Sequence, residues 1–385
     1  MAQERKIRVL QVSTARVYGG NEEHIRTLVK YLDRAAFDVF AAAPKDGEFA
    51  PILEREGVQV FDFHVSGKFD FSARRRLAAI VKENAIDIIH SHNRREDLVA
   101  ALAARKCGRI AVTTLHDRIN MRQDGTRGRG PATWIYNYLL RHRFDKLITV
   151  STATREDAIA QAGIPPEKIV HIINGMDLER LNVPLDPDAK RAKLELNKKH
   201  LVAGMVARVR GTDIGKKGHR YFLEAAAVVA RNLPDARFVI VGEDDEARDF
   251  LSHMADDLGV RSKVVFLGYR KDILDVMSAF DVAVLPSLFE GLPRTLMEGM
   301  AIGKPAVGTR VDGIKELILD GETGILVEPR DSRGLARAMA DLLSSPDKRE
   351  TMGAAAAKRI RTVFDGRIMA RETGKIYMAL AGGRK

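Results

Sequence analysis

Two glutamates flank a Gly-Leu-Pro turn in the stretch SLFEGLPRTLMEGM, Ser287 to Met300. They are Glu290 and Glu298, and the apolar run DVAVLP comes just before them. Such a run reads as a buried parallel strand. In an open α/β sheet, ligands bind beyond the carboxyl ends of the strands. Glu290 is therefore expected where a ligand lies, and Glu298 on the helix that follows. A carboxylate accepts hydrogen bonds strongly, and sugar hydroxyls are natural donors. Pro293 suits the first position of that helix. No Ser, Thr, Asp or Asn stands at the expected N-cap, so the amides near Leu292, Arg294 and Thr295 are offered to a ligand. The bland reading of Glu298 is an i to i+4 salt bridge to Arg294.

Other residues suit phosphate. In AGMVARVRGTDIGKKGHRYFLEA a strand ends near Arg208, and a loop leads to Lys217 and Gly218. Arginine grips phosphate through two parallel N–H bonds, and lysine adds a point charge. Arg210 and Lys216 stand close enough to substitute, and taken alone the stretch is a solvated basic loop. In VSTARVYGGNEEHIRTLV, Gly19 and Gly20 let a ligand approach the backbone, though a plain tight turn reads equally well. That pattern is not G-x-G-x-x-G, so dinucleotide binding gains little from it. His90 and His92 end the run IDIIH, and His116 ends IAVTTLH beside Asp117. A zinc site wants recognisable spacings and a third ligand, which H-x-H alone lacks. His90 and His92 are read as strand-end packing or acceptor-side contacts, and no metal is expected. The clear Asp-x-Asp, Asp186 to Asp188, falls in a charged connecting stretch. No G-x-x-x-x-G-K-[ST] occurs, which sets aside a P-loop kinase.

The elements that position these residues alternate from end to end. Apolar runs IRVLQVS, DVFAAA, VQVFDF, IDIIH, IAVTTLH, KLITVS and KIVHIIN are separated by amphipathic segments. After a polar, charged stretch the alternation restarts with LVAGMVA, ARFVIVG, SKVVFLG, DVAVLP, KPAVGT and GILVEP. The fold class is α/β, with two Rossmann-like parallel-sheet domains facing a cleft. The expected boundaries are 1–178, a hinge at 179–200, and 201–365. A C-terminal helix over 366–385 is expected to pack back on the first domain, with Ile368, Met369, Ile376, Tyr377 and Leu380 on its apolar positions.

With 385 residues, two domains are the default. The net charge of +11 favours polyanionic partners, but no zinc-finger or RNA-recognition signature supports nucleic acid. One cysteine, Cys107, suits a reducing compartment. No signal peptide or membrane span is read, so a cytoplasmic location is expected. The segment RQDGTRGRGPATWIYNYLLRHRF joins arginines to Trp134, Ile135, Tyr138 and Leu139. A basic amphipathic helix can lie on an anionic membrane, though a core-packed helix behind a basic acceptor loop is the preferred reading.

The residues from Leu285 to Asp331, LPSLFEGLPRTLMEGMAIGKPAVGTRVDGIKELILDGETGILVEPRD, resemble the Glu-x7-Glu signature of the retaining GT-B-fold glycosyltransferases of family four. Patchier likeness spans nearly the whole chain. The resemblance implies a retaining, metal-independent transfer from a nucleoside-diphosphate sugar, UDP- or GDP-linked, with no cofactor. It implies a sugar or lipid-linked glycan acceptor, at the inner face of the membrane in the lipid-linked case, in cell-surface polysaccharide or glycolipid synthesis. It places Glu290 and His116 in the catalytic centre, and Arg208, Lys217, Gly20 and Thr295 around the donor diphosphate. Glu290, Leu292 and Arg294 would hold the donor sugar. Glu298, Gly268 and Tyr269 would hold the nucleoside, and Gly19 and His92 would face the acceptor. Two departures stand out: Ala207 where the family has Gly, and a longer loop between Arg208 and Lys217. Rival readings are a sugar phosphorylase or nucleotide-sugar epimerase on the same fold, or a non-catalytic nucleotide-sugar-binding subunit. Oligomeric state has no signal in the sequence.

Overall fold

A computed structural model describes residues 5–66, 70–119, 128, 130–211 and 215–383. They form two compact units. One holds the described residues up to Asp177 together with those from Phe364 onward, and the other holds 178–363.

The first unit is built on β1 (Ile7–Val12), β2 (Phe37–Ala43), β3 (Gln59–Asp62), β4 (Ile88–Ser91), β5 (Ile110–Leu115), β6 (Lys146–Thr149) and β7 (Ile169–His171). Their order is β3-β2-β1-β4-β5-β6-β7, and each pairing is parallel. The second carries β8 (Leu201–Val209), β9 (Ala236–Glu243), β10 (Val264–Phe266), β11 (Val282–Leu285), β12 (Ala306–Thr309) and β13 (Gly324–Val327). Their order is β10-β9-β8-β11-β12-β13, again all parallel. Each apolar run read as a strand is one. The central strands β4, β5 and β11 are buried at every position, because helices cover both faces of a parallel sheet. Strand order reverses between β1 and β4 in one sheet and between β8 and β11 in the other. These are topological switch points, where a crevice opens at the strand ends.

The helix Gly366–Gly382 packs on the first unit. Met369, Ala370 and Tyr377 lie in a core cluster with Val9, Ile25 and Phe37. Gly366 is required there, since a Cβ would stand 2.3 Å from Thr27 Cγ2.

The charged stretch 179–200, expected as a hinge, belongs with the second unit and is largely folded onto it. It contains the helix Pro187–Lys193, capped by Asp186, whose carboxylate accepts from Ala189 N at 2.9 Å. Lys190 is buried, bridging Asp272 at 2.7 Å and pairing with Asp275. Arg191 pairs with Asp281 at 2.8 Å. Lys190 and Arg191 are thus satisfied by acids of the second unit.

Candidate functional site

In the second unit the site gathers at the β8/β11 switch point. A bulge interrupts β8, where Val206 pairs with Val241 but Val209 pairs with Glu243. Ala207 and Arg208 thus oppose Gly242 alone, and a bulge of this kind re-aims a side chain. Gly242 accommodates it with φ +108°; a Cβ there would lie 2.6 Å from Ala207 O. Arg208 and Arg210 are both exposed.

Strand β11 ends at Leu285, and the Glu290 loop follows as the sequence implied. Glu290 Oε2 accepts from Lys217 Nζ at 2.5 Å and from Ser287 Oγ at 3.2 Å. Leu288 N donates to Lys216 O at 2.9 Å, binding the lysine loop to the glutamate loop. Lys216 Nζ lies over the Phe289 ring, 4.8 Å from its centroid. Of the two lysines, Lys217 is therefore the one beside the carboxylate. Gly313 N donates to Glu290 O at 3.3 Å, and a Cβ on Gly313 would collide with Gly291 O. That contact explains why a glycine sits in VDGIKE.

The helix after the turn is Arg294–Ala301, with Pro293 at its N-cap, not its first turn, in extended geometry. No side chain caps it. Met297 N bonds to Pro293 O at 3.1 Å. The Thr295 hydroxyl donates to Val206 O at 2.8 Å, so it anchors the helix to β8. Leu292 is buried, and Glu298 is half-buried on the same helix.

On the expected nucleoside side, Gly268 is bonded within the protein. Its amide donates to Glu243 Oε1 at 2.5 Å, and its carbonyl accepts from Gly242 N at 2.8 Å. The Gly268 amide is thus engaged by a buried carboxylate. Tyr269 beside it is exposed. Burial raises the Glu243 carboxyl above its ordinary range.

In the first unit, Gly19 is the extended N-cap of the helix Gly20–Tyr31, and Gly20 is exposed. His90 is wholly buried: Nδ1 meets Tyr377 Oη at 2.5 Å and Nε2 meets Thr114 Oγ1 at 2.8 Å. Packing is its role. His92 is also buried, with Nε2 2.8 Å from Gln11 Oε1. It lies beside His116, ring centroids 5.8 Å apart, and beside His24, at 5.5 Å. His116 is half-buried and Asp117 is exposed. Glu96, which the sequence reading passed over, accepts from Thr14 N at 2.7 Å and Thr14 Oγ1 at 2.6 Å. It is buried, and burial pushes its carboxyl up to about 7. It follows β4 by a few residues, like an ordinary helix-start acid, so position alone gave no signal.

The helix Pro131–Arg143 packs on the core along one face and leaves the other open. Tyr136, Leu139 and Leu140 pack inward, whereas Trp134, Ile135 and Tyr138 are exposed. Trp134 and Tyr138 stack at 5.8 Å, and Arg143 stands over the Tyr138 ring. The basic loop expected ahead of this helix lies largely outside the described residues. No described helix is long and apolar enough to cross a membrane.

Comparison with known proteins agrees with this geometry. The family described as "Glycosyltransferase Family 4" matches residues 18–180, and "Glycosyl transferases group 1" matches 186–359. The UDP-Gal:alpha-D-GlcNAc-diphosphoundecaprenol alpha-1,3-galactosyltransferase of Escherichia coli is 27% identical over 87% of this chain and 87% of its own. A D-inositol 3-phosphate glycosyltransferase of Rhodococcus jostii is 27% identical over 83% of this chain and 75% of its own. The crystal structure of Anabaena Alr3699/HepE with UDP and glucose superposes with a TM-score of 0.82 at 24% identity, covering 97% of this chain and all of that one. The two parallel sheets, their switch points and the matched families together establish that this chain belongs to the GT-B glycosyltransferases of group 1 and family 4.

Proposed function

We propose that this enzyme transfers a hexose, with retention of anomeric configuration, from a nucleoside-diphosphate sugar to a sugar or lipid-linked glycan acceptor. The observation that carries the reading is the joined loop pair of the second unit: Lys217 and Glu290 share a hydrogen bond at the β8/β11 switch point, beside the bulge that turns Arg208 outward. A diphosphate and a sugar hydroxyl are the groups such a cation and carboxylate would recognise together. UDP is the favoured carrier, because the E. coli relative is named for UDP-Gal. GDP remains the alternative for the base.

In this mechanism Arg208 and Lys217 offset the charge that builds on the departing diphosphate, the task a metal performs elsewhere. The clear Asp-x-Asp is otherwise engaged: Asp186 caps a helix, and Asp188 pairs with Lys198 at 2.7 Å. Glu290 orients the transferred sugar, with Leu292 and Arg294 beside it, and Glu298 holds ribose hydroxyls. Acceptor attack occurs on the face the diphosphate leaves, and a diphosphate oxygen takes the acceptor's proton. Asp117 is exposed and is given no nucleophilic role.

The acceptor is taken to be lipid-linked, in polysaccharide or glycolipid synthesis at the cytoplasmic face of a membrane. The E. coli relative's name carries a diphosphoundecaprenol acceptor. The exposed face of Trp134, Ile135 and Tyr138, with Arg143 beside it, suits the interface of an anionic bilayer.

Proton NMR of the first-formed product, in excess chelator, tests the reading. Retained configuration with undiminished rate is expected. An inverted anomer, or activity lost to chelator and restored by Mg²⁺, would overturn it.

A further inference from the structure

The H-x-H at the end of β4 lacked a third ligand in the sequence, and the fold supplies two. His92 follows β4, His116 follows β5, and His24 stands in the second turn of the helix Gly20–Tyr31. One ring nitrogen from each lies within 4.8 Å of the others. Ring centroids are 4.7 Å apart for His24 and His116, 5.5 Å for His24 and His92, and 5.8 Å for His92 and His116. His24 and His92 are buried and His116 is half-buried, so the trio is closed behind and accessible from one side.

The hydrogen bonds select the nitrogens that face inward. Gln11 Nε2 donates to Tyr377 Oη at 3.2 Å, which leaves Gln11 Oε1 to accept from His92 Nε2–H. His92 Nδ1 then holds a lone pair, buried and with no hydrogen-bond partner. His24 Nδ1 lies 2.8 Å from Asn174 Oδ1, an acceptor, so its Nε2 is the lone-pair nitrogen. Imidazoles whose far N–H is held by a carbonyl-type oxygen are arranged as metal-ligating histidines are.

We propose that His24, His92 and His116 bind a divalent transition metal, Zn²⁺ in the first instance, through three imidazoles with a fourth position open on the His116 side. Imidazole sets of this kind suit Zn²⁺ over Mg²⁺ or Ca²⁺. Tetrahedral bonds of about 2.0 Å bring ligand nitrogens to roughly 3.3 Å apart, so the rings close inward by on the order of 1 Å. The three ligands all belong to the first unit, and the metal assay reads binding alone.

The test uses the untagged full chain, stripped with chelator and titrated with Co²⁺, then with Zn²⁺ as competitor. One metal per chain is expected, with the visible absorption of a four-coordinate Co²⁺ site that Zn²⁺ abolishes. His92→Gln should weaken binding by about 100-fold or more, and Asn174→Ala, which only releases His24, by about 10- to 100-fold. Cys107→Ser, removing the chain's one thiol, should change nothing. Should His92→Gln fail to fold by circular dichroism, Asn174→Ala and His116→Gln carry the comparison. Absence of saturable binding, or equal affinity in wild type and these variants, overturns the proposal.

Discussion

Lys217 Nζ lies 2.5 Å from Glu290 Oε2, joining the two loops that follow β8 and β11. The pair is largely shielded, with the glutamate side chain 10% exposed and the lysine 25%. Each group therefore sets the other's position, and neither acts as an independent contact. Lys217→Ala and Glu290→Ala should each lower kcat on the order of 10²-fold, the usual loss for one preorganised charge contact. The double variant should lose little more than either single one, because coupled residues are not additive. Losses that multiply to about 10⁴-fold would show two separate contacts instead.

Glu96 ties stability to pH. Burial raises its carboxyl to about 7 in the folded protein, above the 4.5 of a free glutamate. Between those values the folded state holds a proton that the unfolded state has lost. Stability is thus full below about pH 4.5, falls as pH rises, and levels off above about 7. The loss is on the order of 3 kcal/mol. Glu96→Gln keeps an oxygen for Thr14 and cannot ionise, so urea midpoints of the variant should stay flat from pH 5 to 8 while the wild type declines. Parallel curves would refute the assignment.

Tyr377 joins the C-terminal helix to the sheet through His90 and Gln11. Tyr377→Phe preserves the ring packing against Phe37 and leaves both buried partners short of a hydrogen bond. A loss of about 1–3 kcal/mol is expected by denaturant unfolding. A change below about 0.5 kcal/mol would mean that solvent or a side-chain shift replaces the hydroxyl.

Trp134 is 69% exposed and Tyr138 41%. The variant Trp134→Ala/Tyr138→Ala should fold with an unchanged melting temperature. It should sediment with anionic phospholipid vesicles about 10-fold less than wild type, and wild-type binding should fall with salt. Equal sedimentation of both proteins would remove this face from any membrane role.

The architecture was readable because parallel strands buried on both faces leave continuous Val/Ile runs, and IDIIH and DVAVLP are such runs. Glu290 was readable for a related reason, since a strand end followed by Gly-Leu-Pro fixes where its side chain must stand. What was hidden depends on distant residues. His24, His92, His116 and Asn174 are brought together only by strand order, which no local spacing encodes. The partner of the Gly268 amide is likewise distant: Glu243, at the end of the neighbouring strand β9, takes it. The stretch 179–200 was read as a hinge because the acids that pair with Lys190, Asp272 and Asp275, lie far along the chain. The core-packed helix was readable, but which of its apolar residues face inward was not: Tyr136, Leu139 and Leu140 fill that face and leave Trp134 exposed.

The helix Gly366–Gly382 completes the first unit only after all of residues 178–363 have been made. On a ribosome adding roughly 5–20 residues per second, β1 to β7 wait on the order of ten seconds or more for Tyr377. During that interval the apolar surface around Val9, Ile25 and Phe37, and the polar groups of Gln11 and His90, lack their final cover. The second unit has no such debt to later sequence and can fold while the first is still open. Nascent chains halted before residue 366 should therefore present a protease-sensitive first sheet beside a resistant second one, and they are the form in which this protein most needs a chaperone.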